Sequence, residues 1–213
     1  MVPIGILGGT FNPPHLGHTA VARCALAALP VGRVVLMPAR TPPHKEHEQD
    51  PGAEHRLQMC RLAVADLAGI EACALELERD GPSYTVDTLR AINASDPDAE
   101  LTFIVGADTA STLASWREPE ALLELADLAV VTRAGASQQG VLETIAELRG
   151  ASTVKPAAAP SRSVRFLEME PVAISSSAAR ERAARGEPLE ALVGAAVADY
   201  IVEHRLYRAQ GGG

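Results

Sequence analysis

The sequence predicts an α/β fold, a doubly wound, mostly parallel sheet with helices on both faces. Three observations lead there. Short apolar runs of strand length alternate with stretches of helical apolar spacing along most of the chain. The first run, Ile4 to Leu7, breaks at Gly8-Gly9 and passes into a helical pattern. Loops rich in Gly, Pro or polar residues then follow the strand-like runs, at Gly8 to His18, Thr41 to Lys45 and Gly106 to Asp108. In open parallel sheets, ligands collect beyond the carboxyl ends of strands, where these loops would lie.

Behind the first turn, Val21, Ala22, Ala25, Leu26 and Leu29 repeat at helical spacing. Val34 to Met37 reads as a second strand, ended by Pro38, and Thr41 to Lys45 as a loop. Ala53 to Leu67 is helical, and Ile70 to Leu77 strand-like. Asp80-Gly81-Pro82-Ser83 is a turn, and Ser83 is placed to cap a helix running to about Asn93. Leu101 to Val105 is a strand that stops at Gly106. Two short helical stretches flank Trp116. Leu128 to Val131 is a strand, Gly140 to Leu148 a helix, and Val164 to Leu167 a last strand. Helices near Ser176–Arg185 and Leu189–Glu203 close the chain. The Ala-, Pro- and Ser-rich stretch 151–163 reads as a mobile surface loop. A single domain is expected over 1–208, with the helices from about 175 packed on it and a disordered tail at 209–213.

Composition narrows the function. The chain has 213 residues, 47% of them hydrophobic and 22% charged, which suits one ordinary core. A net charge of −8 disfavours nucleic-acid binding, which needs a basic face, and leaves room for a local nucleotide site. No run approaches the ~20 apolar residues of a membrane span. Three cysteines without close pairing fit buried thiols in a reducing compartment, so a cytoplasmic protein is expected.

The run Gly8-Gly9-Thr10-Phe11-Asn12-Pro13-Pro14-His15-Leu16-Gly17-His18 carries the chemistry. Glycines let the backbone approach a ligand, and a helix N-terminus offers free N–H groups to an anion. His15 and His18 face the same place. His-x-x-His can ligate a metal, but no neighbouring Cys or Glu completes a set, so no metal site is assigned. The G-x-G-x-x-G fingerprint of redox dinucleotide enzymes is absent from this turn. In the first helical turn the dipole disfavours a charged His18, and a bound polyphosphate would reverse that field; binding of such a ligand is therefore expected to take up a proton at this site. A second segment, Ile174-Ser175-Ser176-Ser177-Ala178-Ala179-Arg180, opens a helix with hydroxyls and sets an arginine one turn in. By itself it fits a phosphate site and a plain N-cap equally well.

These two segments resemble the GGTF[D/N]PxHxGH and ISSTxIR motifs of the nucleotidylyltransferases, and most closely those of bacterial nicotinate-nucleotide adenylyltransferases. Pro42-Pro43-His44-Lys45, Ser83-Tyr84-Thr85-Val86-Asp87-Thr88-Leu89, Phe103-Ile104-Val105-Gly106-Ala107-Asp108 with Trp116, and the ending Tyr200 to Tyr207 resemble the same family. HxGH alone is widely shared; the SYTxDTL segment and the GAD…W pair discriminate more. The resemblance implies a Rossmann-like domain that transfers the adenylyl group of ATP to nicotinate mononucleotide, without a covalent enzyme intermediate. It implies that Gly8, Gly9, Thr10 and Phe11 line the ATP site, and that His15 and His18 meet phosphates. It places Gly106 and Asp108 by the adenosine ribose, and Ser176 and Arg180 on the β- and γ-phosphates. Lys45, Thr85 and Trp116 would hold the mononucleotide, with Arg133 a further candidate. Mg²⁺ would travel on the ATP, and a homo-oligomer is possible. Ser177 and Ala179 depart from the motif, and Val193-Gly194 stands where Val-Pro is common. The rival readings are another small adenylyltransferase, such as that for phosphopantetheine, and a non-catalytic nucleotide-binding regulator.

Overall fold

The computed structural model describes residues 2–42, 49–151, 162–170 and 172–208. In chain order the elements are β1 (Ile4–Gly9), α1 (Leu16–Ala28), β2 (Arg33–Pro38), α2 (Ala53–Val64), β3 (Ile70–Ala72), α3 (Thr85–Ser95), β4 (Leu101–Gly106), α4 (Ala107–Ala110), a single 3₁₀ turn (Leu113–Ser115), α5 (Pro119–Leu125), β5 (Asp127–Arg133), α6 (Gln139–Ala151), β6 (Val164–Met169), α7 (Ser176–Arg185), α8 (Glu190–Val193) and α9 (Ala195–Glu203). Among the described residues the strands form one six-stranded sheet in the order β3-β2-β1-β4-β5-β6. The sheet is parallel and Rossmann-like, as the alternating pattern predicts. Ile4 lies opposite Leu101, Thr102 opposite Asp127, and Leu128 opposite Val164. The strand order reverses between β1 and β4, so the carboxyl ends of those two strands mark the switch point at which such sheets bind ligands.

Two compact units make up the chain. The first comprises Met1–Gly8, Cys24–Val34 and Tyr84–Pro171. Its core is built on β4 and β5, in which every residue from Leu101 to Val105 and from Leu128 to Thr132 is buried. Such continuous burial is what a strand covered on both faces requires. The edge strand β6 buries only Leu167, and its charged Arg165 and Glu168 face solvent. The second unit comprises Gly9–Arg23, Val35–Ser83 and Val172–Gly213. Met59, Ala179, Ala183, Leu189, Val193, Val197 and Ile201 form its core. Ala179, the small residue in the serine motif, is fully buried there, so this helix packs closely without the larger side chain.

Several expectations change. The apolar run Ile70–Leu77 is a strand only to Ala72. The carbonyl of Ala74 then accepts from the amides of both Leu77 and Glu78, closing a turn that the apolar composition conceals. Ser83 does not cap α3. Its hydroxyl accepts from the Arg40 amide instead, at 2.9 Å, and Tyr84 is the N-cap residue, with no side-chain cap bond. The expected helix Leu189–Glu203 divides at Gly194, whose φ of +83° separates α8 from α9. A proline, with φ held near −65°, could not adopt that conformation, so the departure at this position matches the local backbone. No helix among the described residues is long and apolar enough to cross a membrane. Lys45, most of the 151–163 stretch and the 209–213 tail lie outside the described residues.

Candidate active site

In the second unit, Gly9 to His18 forms a tightly wired turn. Phe11 has φ +51°, a left-handed conformation unusual for a bulky residue, and its ring is almost fully buried. A Cβ at Gly9 would stand 3.1 Å from that ring, so a glycine here lets Phe11 fold back over the loop's own backbone. The Phe11 ring then meets His18 edge-on, with centroids 4.8 Å apart.

The histidine pair is organised by the start of α1. The His15 carbonyl accepts from the His18 amide at 2.8 Å, making His15 the N-cap residue. The His15 amide in turn donates to His18 Nδ1 at 3.1 Å. This is one half of a capping box, the third helical residue reaching back to the N-cap amide, with an imidazole in place of the usual carboxylate. With Nδ1 accepting, the neutral ring carries its proton on Nε2, so Nε2 is a donor whether His18 is neutral or charged. The two imidazoles stack, with centroids 3.7 Å apart. Burial holds His15 well below an ordinary histidine, at about 4, and its Nδ1 has no hydrogen-bond partner among the described residues. A Cβ on Gly17 would lie 2.9 Å from that nitrogen. Gly17 is therefore what lets the His15 ring sit over the helix start.

The serine motif resolves into separate tasks. Ser175 is the N-cap of α7, and its hydroxyl accepts from the Ala178 amide at 3.1 Å. Ser176 is thus freed from capping, and its hydroxyl donates to the Pro13 carbonyl at 2.8 Å. Arg180 donates to the Asn12 carbonyl at 2.7 Å and to the Ser177 hydroxyl at 3.2 Å. Arg182 and Arg185 instead pair with Glu187 on the exposed side. The structure thus brings Thr10, Phe11, His15, His18, Ser176 and Arg180 into one connected cluster.

Two residues to which the sequence assigned no role complete this cluster. Asn12 is buried, and its side-chain oxygen accepts from the Tyr207 hydroxyl at 2.7 Å, across almost the whole chain. Burial raises the Tyr207 phenol far above its ordinary range, so it remains a donor. Arg56, on α2, is fully buried and donates to the Thr10 and Ala39 carbonyls. The only sequence signal for Arg56 is its place beside the apolar positions Leu57 and Cys60.

The first unit holds the remaining candidates among the described residues. Gly8 ends against the Phe103 ring, 3.4 Å from where its Cβ would be. Phe103 meets Trp116 edge-on at 6.0 Å, and Trp116 Nε1 donates to Thr112 Oγ1 at 3.3 Å. Trp116 is half-buried beside the buried Phe103. Gly106 ends β4, Asp108 lies exposed just beyond it in α4, and Arg133 is exposed at the end of β5. Thr85 opens α3. Tyr84 packs beneath the Arg117 guanidinium, 4.7 Å from its centre. Arg90 holds Glu118 through two hydrogen bonds, fixing a residue with φ +48° two positions after Trp116.

The cytidylyltransferase-like family model matches residues 6–182. A "Probable nicotinate-nucleotide adenylyltransferase" of Symbiobacterium thermophilum is 44% identical over 207 residues, covering 97% of this chain and 96% of that protein. One of Aeromonas salmonicida is 40% identical over 97% of this chain and 98% of that protein. The chain belongs to the nicotinate-nucleotide adenylyltransferase family. The solved structure of the Plasmodium falciparum nicotinic acid mononucleotide adenylyltransferase complexed with NaAD has the same fold, with a TM-score of 0.76 at 19% identity over 97% of this chain and 98% of that one. The enzyme is therefore a nucleotidyltransferase.

Proposed function

We propose that the enzyme joins ATP and nicotinate mononucleotide into deamido-NAD, releasing pyrophosphate, as a step of NAD synthesis. A 5′-phosphate oxygen of the mononucleotide attacks the α-phosphorus of ATP, and the bond from that phosphorus to the bridging oxygen of the β-phosphate breaks. The nucleophile is already an anion and the leaving group departs as one, so no strong base is required. Catalysis then rests on positioning and on donors aimed at developing charge. The observation that most supports this reading is His18, whose capping bond at Nδ1 leaves Nε2 a donor in either charge state.

In this reading, Gly8, Gly9, Thr10 and Phe11 offer backbone groups to ATP, and His18 Nε2 stabilises the transferring α-phosphoryl group. His15 and the start of α7, with Ser176 and Arg180, take the outer phosphates. Gly106 and Asp108 hold the adenosine ribose. Trp116 stacks on the pyridine ring, Thr85 supplies polar contacts to it, and Arg133 and Lys45 serve the mononucleotide phosphate. The Lys45 assignment rests on sequence alone. Among the described residues no group of three or more His, Cys, Asp or Glu is placed to hold a cation. Mg²⁺ is assigned as part of the substrate, carried on the ATP phosphates. The compartment assigned is the cytoplasm.

The test is turnover. Purified protein given ATP, Mg²⁺ and nicotinate mononucleotide should release pyrophosphate and form deamido-NAD, and rates with nicotinamide mononucleotide and phosphopantetheine should be much lower. Faster turnover of either alternative would overturn the substrate assignment.

A further inference from the structure

Arg56 is a fully buried arginine that no part of the proposed chemistry uses. Its guanidinium makes four hydrogen bonds. Nε donates to Asp50 Oδ1 at 3.0 Å, one terminal nitrogen to the Thr10 and Ala39 carbonyls at 2.9 and 2.6 Å, and the other to the Arg40 carbonyl at 3.0 Å. Thr10 belongs to the loop after β1. Ala39 and Arg40 follow β2, and Asp50 precedes α2. One planar group therefore joins three segments. The Ala39 amide also donates to the Gly9 carbonyl at 3.0 Å, so the first two segments are stitched on both sides. Arg40 carries the tie onward. Its guanidinium donates to the Leu77 and Arg79 carbonyls, and its amide to the Ser83 hydroxyl.

Stability alone is a weak reason to bury this charge. Replacing a buried ion pair with apolar groups of similar volume is often neutral or favourable. What apolar packing cannot supply is direction. A guanidinium presents its N–H groups in a rigid plane, and each carbonyl that accepts from it is held at one distance and angle. A lysine ammonium keeps the charge but loses that fork.

We propose that Arg56 is a positioning residue for adenylyl transfer, acting through the Thr10, Ala39 and Arg40 carbonyls to hold the loops after β1 and β2 in one fixed register. This rests on the reading that the Gly9–His18 turn binds ATP. A loop displaced by a fraction of an ångström still binds ATP but misaligns the α-phosphorus, so the loss falls on kcat more than on binding.

The test compares wild type, Arg56→Lys and Asp50→Asn. Asp50→Asn keeps the guanidinium and its three carbonyl contacts while removing the charge partner, so it serves where Arg56→Lys folds poorly. Folded fraction is measured by circular dichroism at the assay temperature, and affinity by titration with a non-reactive ATP analogue. Wild type must first form deamido-NAD; if it does not, the functional reading fails and not the role of Arg56. With an active wild type, Arg56→Lys is expected to lose at least 30-fold in kcat per folded molecule, with analogue affinity changed less than 3-fold. Asp50→Asn is expected to stay within 5-fold of wild type in kcat. Wild-type kcat per folded Arg56→Lys molecule would overturn the proposal. So would a loss that matches the unfolded fraction, or equal losses in kcat and in analogue affinity. Where Arg56→Lys does not fold, a 30-fold loss of kcat in folded Asp50→Asn would also overturn it, because the carbonyl contacts would then not suffice.

Discussion

Binding of ATP should load a proton onto the stacked histidine pair, and His15 is the group that should take it. Its imidazole is held at about 4 by burial, so at pH 6.5 less than ~1% is charged before ligand arrives. A phosphate charge at ~4 Å with an effective dielectric constant of ~20 contributes about 4 kcal/mol, or ~3 pKa units. That would carry His15 from about 4 to ~7. The uptake at that ceiling is ~0.8 proton at pH 6.5 and ~0.1 proton at pH 8. The stack, at 3.7 Å between centroids, limits the pair to a single proton, since two imidazoliums there would repel. The assay is calorimetry of a non-reactive ATP analogue in buffers of different ionisation heat, for wild type and for His15→Gln. Subtracting the variant removes protons contributed by the nucleotide itself. Identical uptake in the two proteins at pH 6.5 refutes the reasoning. Uptake that survives His15→Gln but vanishes in His18→Ala would move the proton to His18, and burial would not be its controlling cause.

Other perturbations separate chemistry from folding. His18→Ala removes the Nε2 donor and should lower turnover by at least ~100-fold, with folding checked by circular dichroism. Gly17→Ala puts a methyl group 2.9 Å from His15 Nδ1. Helix propensity alone would make it stabilising by ~1 kcal/mol, so a drop in kcat of ~10-fold without a fall in melting temperature identifies displacement of the His15 ring. Trp116→Ala should raise KM for nicotinate mononucleotide by ~10-fold or more while KM for ATP stays within twofold, and equal changes in both would remove the stacking role.

Much of this was legible because it is local. The glycine turn, the two histidines and the helix behind them lie within the 21 consecutive residues from Gly8 to Ala28, and periodicity with turn chemistry places them. Capping at Ser175 was half legible, since a serine cluster announces a helix start without saying which hydroxyl faces where. Arg56 was not legible. An arginine beside apolar helix positions usually extends its stem and keeps its charge in water, and nothing local reveals that three backbone carbonyls and Asp50 surround this one. The turn after β3 was misread because Cys73 to Leu77 is apolar enough for a strand. Beyond Ala72 the Ala74 carbonyl accepts two amides in a turn, and Arg40 donates to the Leu77 carbonyl from 37 residues away.

The contacts of Ser176 and Arg180 bear on how an anion site can be built from the segment Asn12-Pro13-Pro14. Each peptide bond that leads into a proline lacks an N–H, so the carbonyls of Asn12 and Pro13 are acceptors with no donor on the other side of the same peptide. Left bare, two such dipoles in a turn proposed to bind phosphate would oppose a polyanion. Arg180 covers the first and Ser176 covers the second. The first turn of α7 therefore does more than add a cation and hydroxyls to the site. It neutralises the acceptors that the prolines leave exposed, and Arg56 does the same for Thr10. On the proposed reading, in a chain of net charge −8, local affinity for phosphate then comes from where the donors are spent rather than from how many basic residues there are. These two contacts tie a serine helix far along the sequence to the histidine turn near its start.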